Sequence, residues 1–344
     1  MSVLVTGGAG YVGSHMVKLL LARGHAVAVY DNLSRGHRDA VLCDDFFEGD
    51  LLHGEPLDRA LRSRRFDVVM HFAALCYVGE SVQRPLDYYR NNVSGTLNLV
   101  DAMLRASVRK LVFSSTCSTY GNPVEVPIRE RHPQAPINPY GASKLAVETA
   151  LRHFAAAGML DSVALRYFNA AGSDPEGVIG ERHDPETHLI PLALLEALRV
   201  RDGGDPAATT LVVHGGDYDT PDGTCVRDYV HVEDLAQAHL LAAEGLVSGA
   251  LPGMRAFNLG ADRGFSVLEV IAACRDVTGI PIEYRMGPRR PGDPPLLVAD
   301  SSLARTTLGW RPSRSQLDKI VASAWAWFSS PARGAANGRC TSSA

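Results

Sequence analysis

The sequence lacks the features of membrane, secreted and nucleic-acid-binding proteins. No apolar run reaches about 18 residues, so we predict no membrane-spanning helix. The formal net charge is -4, and no basic block indicates nucleic acid or an anionic membrane as a partner. The N-terminal residues enter a strand-like run at once, without the charged and apolar regions of a secretory signal. We therefore expect a cytoplasmic protein.

Cysteine is sparse, and its distribution argues against two kinds of site. The six cysteines are Cys43, Cys76, Cys117, Cys225, Cys274 and Cys340. None forms a C-x-x-C pair, and their scatter fits neither a disulfide framework nor a cysteine zinc site. The neighbouring His231, Asp234 and His239 have no clean ligand spacing, so we predict no metal.

The N-terminal stretch has the pattern of a strand, a glycine turn and a helix. Residues 2–6 form a short β-rich run, and residues 14–23 have the pattern of an amphipathic helix. Between them stand Gly7, Gly10 and Gly13, with the spacing GxxGxxG. Glycines at such a turn let the backbone approach a pyrophosphate at the helix N-terminus. The position of the glycines, more than their spacing, predicts a dinucleotide site.

A carboxylate follows the second predicted strand. Residues 26–30 are β-rich, and Asp31 comes next. A carboxylate near this place accepts hydrogen bonds from cofactor ribose hydroxyls and repels a 2′-phosphate. Asp31 therefore favours NAD over NADP. A simple turn at Asp31-Asn32 is the other explanation, and the glycine turn before it makes ribose binding the better one.

Strand and helix patterns continue to alternate through the first half. The next predicted elements are strands at residues 66–71 and 110–113 and helices at residues 57–64 and 85–105. Such alternation predicts an α/β fold, a doubly wound parallel sheet of Rossmann type with right-handed crossovers. Ligands of these sheets bind beyond the carboxyl ends of the strands. Asp31, Asp50, Ala73 and Thr116 all fall at such ends.

Tyr140 and Lys144 stand four residues apart at the start of a predicted helix. Pro139 suits the first turn, and residues four apart share a helix face, so the phenol and the ammonium become neighbours. Lowering the pKa of a tyrosine from about 10 to about 7 takes roughly 4 kcal/mol, and an ammonium about 5 Å away supplies on the order of 3 kcal/mol. Tyr140 is therefore a candidate proton acceptor. On the pentapeptide alone, an exposed tyrosine and a solvated lysine are the simpler explanation.

The combined motifs resemble the extended short-chain dehydrogenase/reductase family from residue 3 to about residue 328. In the first half the resemblance lies in residues 5–15, 31–33, 71–74, 78–81, 91–96, 113–121 and 138–144. In the second half it lies in residues 165–172, 222–231 and 289–293. The glycine turn and Tyr-x-x-x-Lys mark only the superfamily. The runs at 223–231 and 289–293 are more specific and are similar to those of sugar-nucleotide 4-epimerases.

The resemblance implies an isomerase that interconverts UDP-glucose and UDP-galactose. Tyr140 would take the proton of the sugar 4-hydroxyl while hydride leaves C4 for NAD. The 4-keto sugar would then turn over and receive the hydride on its other face. Lys144 would support Tyr140 and bond the nicotinamide ribose, and Thr116 would bond the 4-oxygen. A hydroxyl that caps a loop is the simpler role for Thr116.

The resemblance also implies two sets of binding residues. For NAD they are Gly7, Gly10, Tyr11, Val12, Gly13, Asp31, Asn32, Leu33, Ser34, Gly36, Asp50, Leu51, Phe72, Ala73, Ala74, Asn91, Tyr140, Lys144 and Phe168. For the UDP-sugar they are Thr116, Tyr140, Asn169, His188, Leu189, Arg227, Arg290 and Asp293. Guanidinium groups of Arg227 and of the Arg289-Arg290 pair match phosphate oxygens, whereas Asp293 would hold a uridine ribose hydroxyl. A solvated surface charge is the simpler role for each arginine taken alone.

Length and composition allow two domains. The 344 residues are 46% hydrophobic and 21% charged, as in a globular enzyme. The expected parts are an NAD-binding domain at residues 1–168, onto which residues 228–245 pack back, a smaller C-terminal α/β substrate domain mainly at residues 169–328, and a disordered tail at residues 329–344. The resemblance implies a homodimer through helices near residues 85–105 and 140–157.

Three other functions are compatible with parts of this pattern. A related sugar dehydratase or decarboxylase would carry acidic residues after the active-site threonine, where this chain has Cys117 and Ser118. A catalytically silent NAD sensor typically loses the tyrosine or the lysine, and both are present. An epimerase of a pentose or N-acetylhexosamine UDP-sugar stays open, because Leu297, at the position where the family sets pocket size, is neither a large aromatic nor a very small residue.

Overall fold

The computed structural model describes residues 1–290 and 293–330, which divide into two compact units. Unit 1 comprises Met1–Tyr167, Leu235–Leu259 and Asp300–Arg311, and unit 2 comprises Phe168–Asp234, Gly260–Ala299 without residues 291–292, and residues 312–330. Cys340, most of the predicted disordered tail, and the Pro291-Gly292 step of the last motif lie outside the described residues.

The elements alternate between strand and helix along the first half. The strands are β1 (Ser2–Thr6), β2 (Ala26–Asp31), β3 (Phe46–Glu48), β4 (Val68–His71), β5 (Lys110–Thr116), β6 (Asp161–Tyr167), β7 (Asn169–Ala171), β8 (Val212–His214), β9 (Val226–His231), β10 (Met254–Leu259), β11 (Gly264–Ser266), β12 (Arg285–Gly287) and β13 (Leu296–Leu297). The helices are α1 (Tyr11–Ala22), α2 (Gly54–Arg62), α3 (Val78–Gln83), α4 (Pro85–Tyr88), α5 (Gly95–Arg105), α6 (Pro139–Ala156), α7 (Leu189–Arg201), α8 (Val232–Val247), α9 (Val267–Thr278), α10 (Ser302–Leu308) and α11 (Leu317–Phe328).

Unit 1 is built on a seven-stranded sheet whose neighbouring strands are all parallel. The strand order is β10-β6-β5-β4-β1-β2-β3, so the direction of winding reverses between β1 and β4. This order confirms the predicted doubly wound fold of Rossmann type. In such a sheet the ligand crevice opens at the carboxyl ends of β1 and β4, where the chain leaves them on opposite sides.

The core of unit 1 lies between this sheet and its covering helices. The buried side chains include Leu4, Tyr30, Val69 and Phe113 from the sheet and Leu57, Leu61, Leu99, Met103, Val147 and Leu151 from α2, α5 and α6. A parallel sheet is covered on both faces, which explains why its strands are apolar runs rather than alternating ones. This packing fixes the strand ends that carry the polar side chains.

The helical pattern predicted over residues 85–105 is confirmed, but the stretch is not one regular α-helix. The chain forms α4, a π-helical turn at Tyr89–Ser94 and then α5. Asn92 in this turn donates from Nδ2 to the carbonyl of Leu75 at 3.0 Å and accepts the Leu75 N–H at 2.9 Å. These bonds tie the widened turn to the segment after β4. Such π-helical turns are frequently found at functional sites.

Unit 2 is a smaller α/β unit. Strands β7, β9, β11 and β13 form a four-stranded sheet, and β8 pairs with β12. Helices α7, α9 and α11 share an apolar core that includes Leu194, Ile271, Ile320 and Trp327. Across the described part of the chain, no helix combines the length and apolarity that a membrane span requires.

Candidate active site

The glycine turn lies at the reversal point of the sheet in unit 1. Gly7 has a φ of 77°, and a Cβ added to it would lie 2.4 Å from the amide nitrogen of Ala73, just beyond β4. A Cβ on Gly13 would lie 2.1 Å from the carbonyl oxygen of Gly7. The turn is therefore packed so tightly that only glycine fits at these two positions. It leads directly into α1, whose N-terminal N–H groups favour an anion such as a pyrophosphate.

Asp31 is buried at the end of β2, beside the glycine turn. Its carboxylate accepts hydrogen bonds from the N–H groups of Ala9 at 3.0 Å and Leu33 at 2.8 Å. Burial raises the pKa of Asp31, and the hydrogen bonds from Leu33 and Ala9 oppose that rise. The carboxylate thus lies where the sequence predicts a ribose-binding group.

The segment after β2 covers the glycine turn. Asn32 donates from Nδ2 to the Asp50 carboxylate at 2.8 Å and accepts the N–H of Ser34 at 3.0 Å. A Cβ on Gly36 would lie 2.8 Å from Cβ of Ala9. The structure therefore brings the predicted adenosine-side residues Asn32, Leu33, Ser34, Gly36 and Asp50 to one edge of the sheet. The side chain of Leu51, predicted with them, packs in the core of unit 1.

The other predicted cofactor residues of unit 1 lie at the same edge of the sheet or just beyond it. They are Gly10, Tyr11 and Val12 around the start of α1, Phe72, Ala73 and Ala74 directly after β4, and Asn91 in the π-helical turn. The N–H groups of Phe72 and Ala73 donate to the carbonyl of Thr6 at 2.8 and 3.1 Å. Phe168 opens unit 2 and is buried.

Thr116, Tyr140 and Lys144 come together in unit 1. Thr116 ends β5, Tyr140 is the second residue of α6, and Lys144 follows one helical turn later. The Asn138 side chain caps α6 by accepting the N–H of Gly141 at 2.8 Å, so the first turn is well defined. The Thr116 hydroxyl hydrogen-bonds to the Tyr140 phenol. All three predicted catalytic side chains are buried.

The Lys144 ammonium faces both the strand and the tyrosine. Its Nζ donates to the Ser114 carbonyl at 2.9 Å. The same atom lies 4.8 Å from the ring centroid of Phe113 and 6.0 Å from that of Tyr140. Burial lowers the pKa of Lys144 to about 8. The lysine is therefore held in place by the strand end and is poised to lose its proton in mildly alkaline solution.

The pKa of Tyr140 is raised, not lowered, in the chain without a bound nicotinamide. Burial raises the pKa of Tyr140 well above its usual range, and nearby Tyr167 and Cys76 add to the rise. The hydrogen bond from Thr116 lowers it by a smaller amount. The free energy lost by removing the phenolate from water is thus larger than the stabilisation that the neighbouring groups provide. A further positive charge must be present before Tyr140 releases its proton near neutral pH.

Two supports of α6 were not predicted from the sequence. Ser143 donates to the Tyr140 carbonyl at 2.7 Å and accepts a bond from Asn92 at 3.0 Å. The fully buried Glu148 accepts two bonds from the Arg166 guanidinium, at 2.9 and 2.5 Å. Burial alone would raise the pKa of Glu148, but Arg166 outweighs it and lowers the pKa. The sequence signal for this buried ion pair was Glu148 itself, a carboxylate four residues after Lys144 and therefore on the same face of α6.

Apart from Thr116 and Tyr140, which belong to unit 1, the predicted substrate residues lie in unit 2. Asn169 opens β7, His188 precedes the first turn of α7, and Leu189 begins that helix. Arg227 on β9 forms an ion pair with Asp293 and donates to the Val226 carbonyl at 2.8 Å. The pairing of Arg227 with Asp293 was not predicted.

Arg290 is exposed beside this pair. Its carbonyl accepts the N–H of Asp293 at 3.3 Å. The structure therefore brings together Arg227, Arg290 and Asp293, three of the residues predicted to bind the UDP-sugar.

The three residues rejected as metal ligands have other partners. His231 pairs through Nε2 with the Ser323 hydroxyl at 2.9 Å. Asp234 accepts the N–H groups of Ser313 at 3.0 Å and Arg314 at 2.9 Å. Nδ1 of His239 lies 2.8 Å from the carbonyl of Leu235, four residues earlier in α8. These bonds account for the three side chains as structural residues.

A different group of possible ligands was overlooked in the sequence. Glu181, His183, Glu186 and His188 each place one ligand atom within 4.8 Å of the others. Burial lowers the pKa of His183, but Glu181 and Glu186 outweigh it and raise that pKa to about 9. The sequence signal was the spacing E-x-H-x-x-E-x-H, which contains no cysteine.

Comparisons with known proteins bear on the family of the chain. Residues 3–260 match the model of the NAD dependent epimerase/dehydratase family. The chain is 49% identical over 327 residues to the UDP-glucose 4-epimerase of Halalkalibacterium halodurans, and the match covers 95% of each chain. It resembles the crystal structure of UDP-glucose 4-epimerase from Brucella ovis in complex with NAD, with 48% identity, a TM-score of 0.89 and coverage of 95% of this chain and 98% of that one. It also resembles the crystal structure of UDP-glucose 4-epimerase from Bifidobacterium longum in complex with NAD+ and UDP, with 38% identity, a TM-score of 0.87 and coverage of 95% of this chain and 98% of that one.

Proposed function

Because this chain belongs to the NAD-dependent epimerase/dehydratase family, we propose that it interconverts UDP-glucose and UDP-galactose with NAD as its cofactor. The observation that carries this proposal is the buried group of Thr116, Tyr140 and Lys144 at the carboxyl edge of the parallel sheet. The glycine turn, with Gly7 pressed against Ala73, lies at the same edge. An isomerase that oxidises and reduces one carbon needs a proton acceptor and a nucleotide site at one edge.

The residues of unit 1 fit NAD. Gly10, which has no side chain to block an anion, precedes the first turn of α1. Asp31 presents a buried carboxylate for ribose hydroxyls, and Ala73 and Ala74 leave room beyond β4. When bound, NAD supplies a reversible acceptor for the hydride at C4 of the sugar.

Proton transfer at the sugar 4-oxygen falls to Tyr140. As the phenolate, Tyr140 accepts the proton of the 4-hydroxyl during oxidation, and the phenol formed in this way returns that proton when the 4-keto sugar is reduced on its other face. Thr116 hydrogen-bonds to the phenol and is placed to orient the 4-oxygen. Lys144 contributes a positive charge that favours the phenolate. The oxidised cofactor carries the second positive charge that the raised pKa of Tyr140 requires.

Residues of unit 2 bind the uridine diphosphate in this proposal. The guanidinium of Arg227 is oriented by Asp293 and suits phosphate oxygens. His188 and Leu189 stand at the start of α7, where the helix dipole favours a diphosphate. Asn169 and Arg290 complete the proposed set. Phe168 would contact the cofactor.

The deciding assay uses purified protein and UDP-galactose, with UDP-glucose measured as product and no NAD added. We expect conversion in the wild type, from NAD that stays bound, and a loss of at least about 1000-fold in Tyr140→Phe. Conversion that survives in Tyr140→Phe would contradict the assigned proton acceptor. If UDP-galactose is not converted even with NAD added, the proposed substrate is wrong.

The same assay measures breadth of substrate. Leu297 lies in β13, directly opposite Arg227 in the register of the sheet, and is of intermediate size. UDP-N-acetylgalactosamine and a UDP-pentose are therefore tested beside UDP-galactose. We expect the unsubstituted hexose to have the highest kcat/KM.

We further propose that two copies associate and that the protein works in the cytoplasm. Helices α3 to α5 expose a group of apolar side chains, Val78, Val82, Leu86, Tyr89 and Leu97. Five exposed apolar side chains within one stretch of about 20 residues support a partner, and a second copy presents the same side chains. The five described cysteines are thiols, which supports a reducing compartment.

A further inference from the structure

Unit 2 contains four ligand-type side chains that proton and hydride transfer do not use. They are Glu181, His183, Glu186 and His188, in the segment that leads into α7. Oε1 of Glu181 lies 2.6 Å from Nδ1 of His188 and 3.1 Å from Nδ1 of His183. The Glu186 oxygens lie 3.5 Å from Nδ1 of His188 and 3.8 Å from Nδ1 of His183. Two carboxylates and two imidazoles thus face one point.

Four of the six ligand-atom spacings can be compared with the edges of a small coordination tetrahedron. Zn²⁺ binds imidazole nitrogen and carboxylate oxygen at about 2.0–2.2 Å, which places neighbouring ligand atoms about 3.3–3.6 Å apart. The four nitrogen–oxygen distances, from 2.6 to 3.8 Å, bracket that value. The imidazole rings of His183 and His188 are 5.1 Å apart and meet at 64°, so they approach from different directions. A metal ion would need only small side-chain movements to bind.

The backbone around the group is held independently of any ion. The Glu186 carboxylate accepts the N–H groups of Thr187 at 2.8 Å and His188 at 2.9 Å. Trp327 donates to the Glu181 carbonyl at 3.2 Å. A Cβ on Gly180 would lie 2.3 Å from the same indole ring. Groups that fix the ligands in this way are typical of built metal sites.

Charge also fits a divalent cation. Once both imidazoles have given up their protons, as ligation requires, the two carboxylates leave a charge of -2, which one divalent ion cancels. Nitrogen and oxygen donors without thiolate suit zinc and its neighbours in the first transition row better than Ca²⁺ or Mg²⁺, which take oxygen ligands. The buried position of Glu181 strengthens its attraction for a cation.

We propose that Glu181, His183, Glu186 and His188 bind one divalent transition-metal ion of the zinc class. Ligation through Nδ1 leaves Nε2 of His188 for a nucleotide contact. The site does not depend on the proposed epimerase reaction, because none of its ligands takes part in proton transfer.

Metal binding is measured directly on the full chain, without a polyhistidine tag and after treatment with a chelator. Zn²⁺ is titrated in competition with a chromophoric chelator. We expect one equivalent per chain, and an affinity at least about 100-fold lower in His183→Gln and in Glu181→Gln. His153→Gln, which removes an exposed imidazole on α6, is the matched control and should leave the affinity unchanged.

Cobalt keeps the proposal testable if the variants do not fold. Wild-type protein loaded with Co²⁺ should show the strong visible bands of a four-coordinate ion and lack the near-ultraviolet band of a cobalt–thiolate bond. A thiolate band would assign the ion to cysteines instead. That result would overturn the proposed site. So would a six-coordinate spectrum, the absence of a bound equivalent, or an affinity of well-folded His183→Gln equal to that of the wild type.

Discussion

At the scale of single residues, the Thr116 hydroxyl could have a catalytic role or a structural role, and substitution distinguishes the two. It bonds the Tyr140 phenol and also accepts the N–H of Ser118 at 3.1 Å, so both roles are visible. We expect Thr116→Val, which keeps the shape, to lower kcat by about 100-fold or more. Thr116→Ser should stay within about 10-fold of wild type. Steady-state kinetics with UDP-galactose distinguish the two roles. Full activity in Thr116→Val would show that the hydroxyl only caps the loop.

Lys144 gives a prediction that joins stability to pH. Its pKa falls from 10.5 to about 8 on burial, so between these values the unfolded chain binds more protons than the folded one. Stability from this group therefore rises with pH across that window, and below pH 8 the buried charge costs up to about 3 kcal/mol. Lys144→Met should remove that cost while it abolishes activity.

The measurement for Lys144→Met is urea unfolding of nucleotide-free protein at pH 7 and pH 10. We expect the variant to be more stable than wild type by about 1–3 kcal/mol at pH 7, because the lost bond to the Ser114 carbonyl offsets part of the gain. The difference should shrink at pH 10. A variant that is less stable at pH 7 would show that the ammonium is better solvated than its burial implies.

At the scale of elements, a buried ion pair fastens α6 to the sheet. Glu148 on α6 receives Arg166 from β6, and the Ser115 hydroxyl on β5 donates to it at 2.6 Å. Arg166→Met leaves the buried carboxylate with the exposed Arg152, 3.8 Å away, as its ion-pair partner, so we expect a loss of about 3–5 kcal/mol. The double variant Glu148→Leu with Arg166→Met should recover much of this loss. Urea unfolding of both variants is the test, and a double variant no more stable than the single one would refute the argument.

Local signals explain which parts of the site could be predicted from the sequence. Gly7 and Gly13 serve a turn a few residues long, and Tyr140 and Lys144 share one helical turn, so their spacing carries the information. Asp293 lies far along the chain from Arg227, and only the folded sheet of unit 2 brings them together. The same holds for Glu148 and Arg166, whose meeting depends on strand order.

Element boundaries were less predictable than element types. Helix α1 begins at Tyr11 rather than at residue 14, because Gly10 already ends the turn. The strand expected at residues 110–113 continues to Thr116, since its serines pair with β6 and stay buried. The π-helical turn at Tyr89–Ser94 had no sequence signal, because Asn92 bonds to residues that only the fold brings near it.

At the scale of the whole molecule, unit 1 is closed by segments from late in the sequence. Strand β10 pairs with β6 at the edge of the sheet. Asn258 in β10 accepts the Tyr120 hydroxyl at 2.6 Å, and Arg129 pairs with Asp300 at 3.0 Å. The return of late segments of the chain to unit 1 depends on long-range packing, which local sequence patterns do not encode. We infer that unit 1 folds fully only after the chain has been completed beyond these residues.

The exposed apolar group on α3 to α5 makes the proposed homodimer testable. Val82 and Leu86 are 63% and 57% exposed, so glutamate at both positions should leave the folded protomer intact. In a symmetric interface each copy would bring both charges, and burying them without partners is costly. We expect light scattering with size exclusion to show a dimer for wild type and a monomer for the Val82→Glu, Leu86→Glu variant. Val124→Glu, which charges a valine that is 81% exposed elsewhere in unit 1, should remain dimeric. A wild type that is monomeric at micromolar concentration, or a double variant that stays dimeric, would place any self-association on another surface.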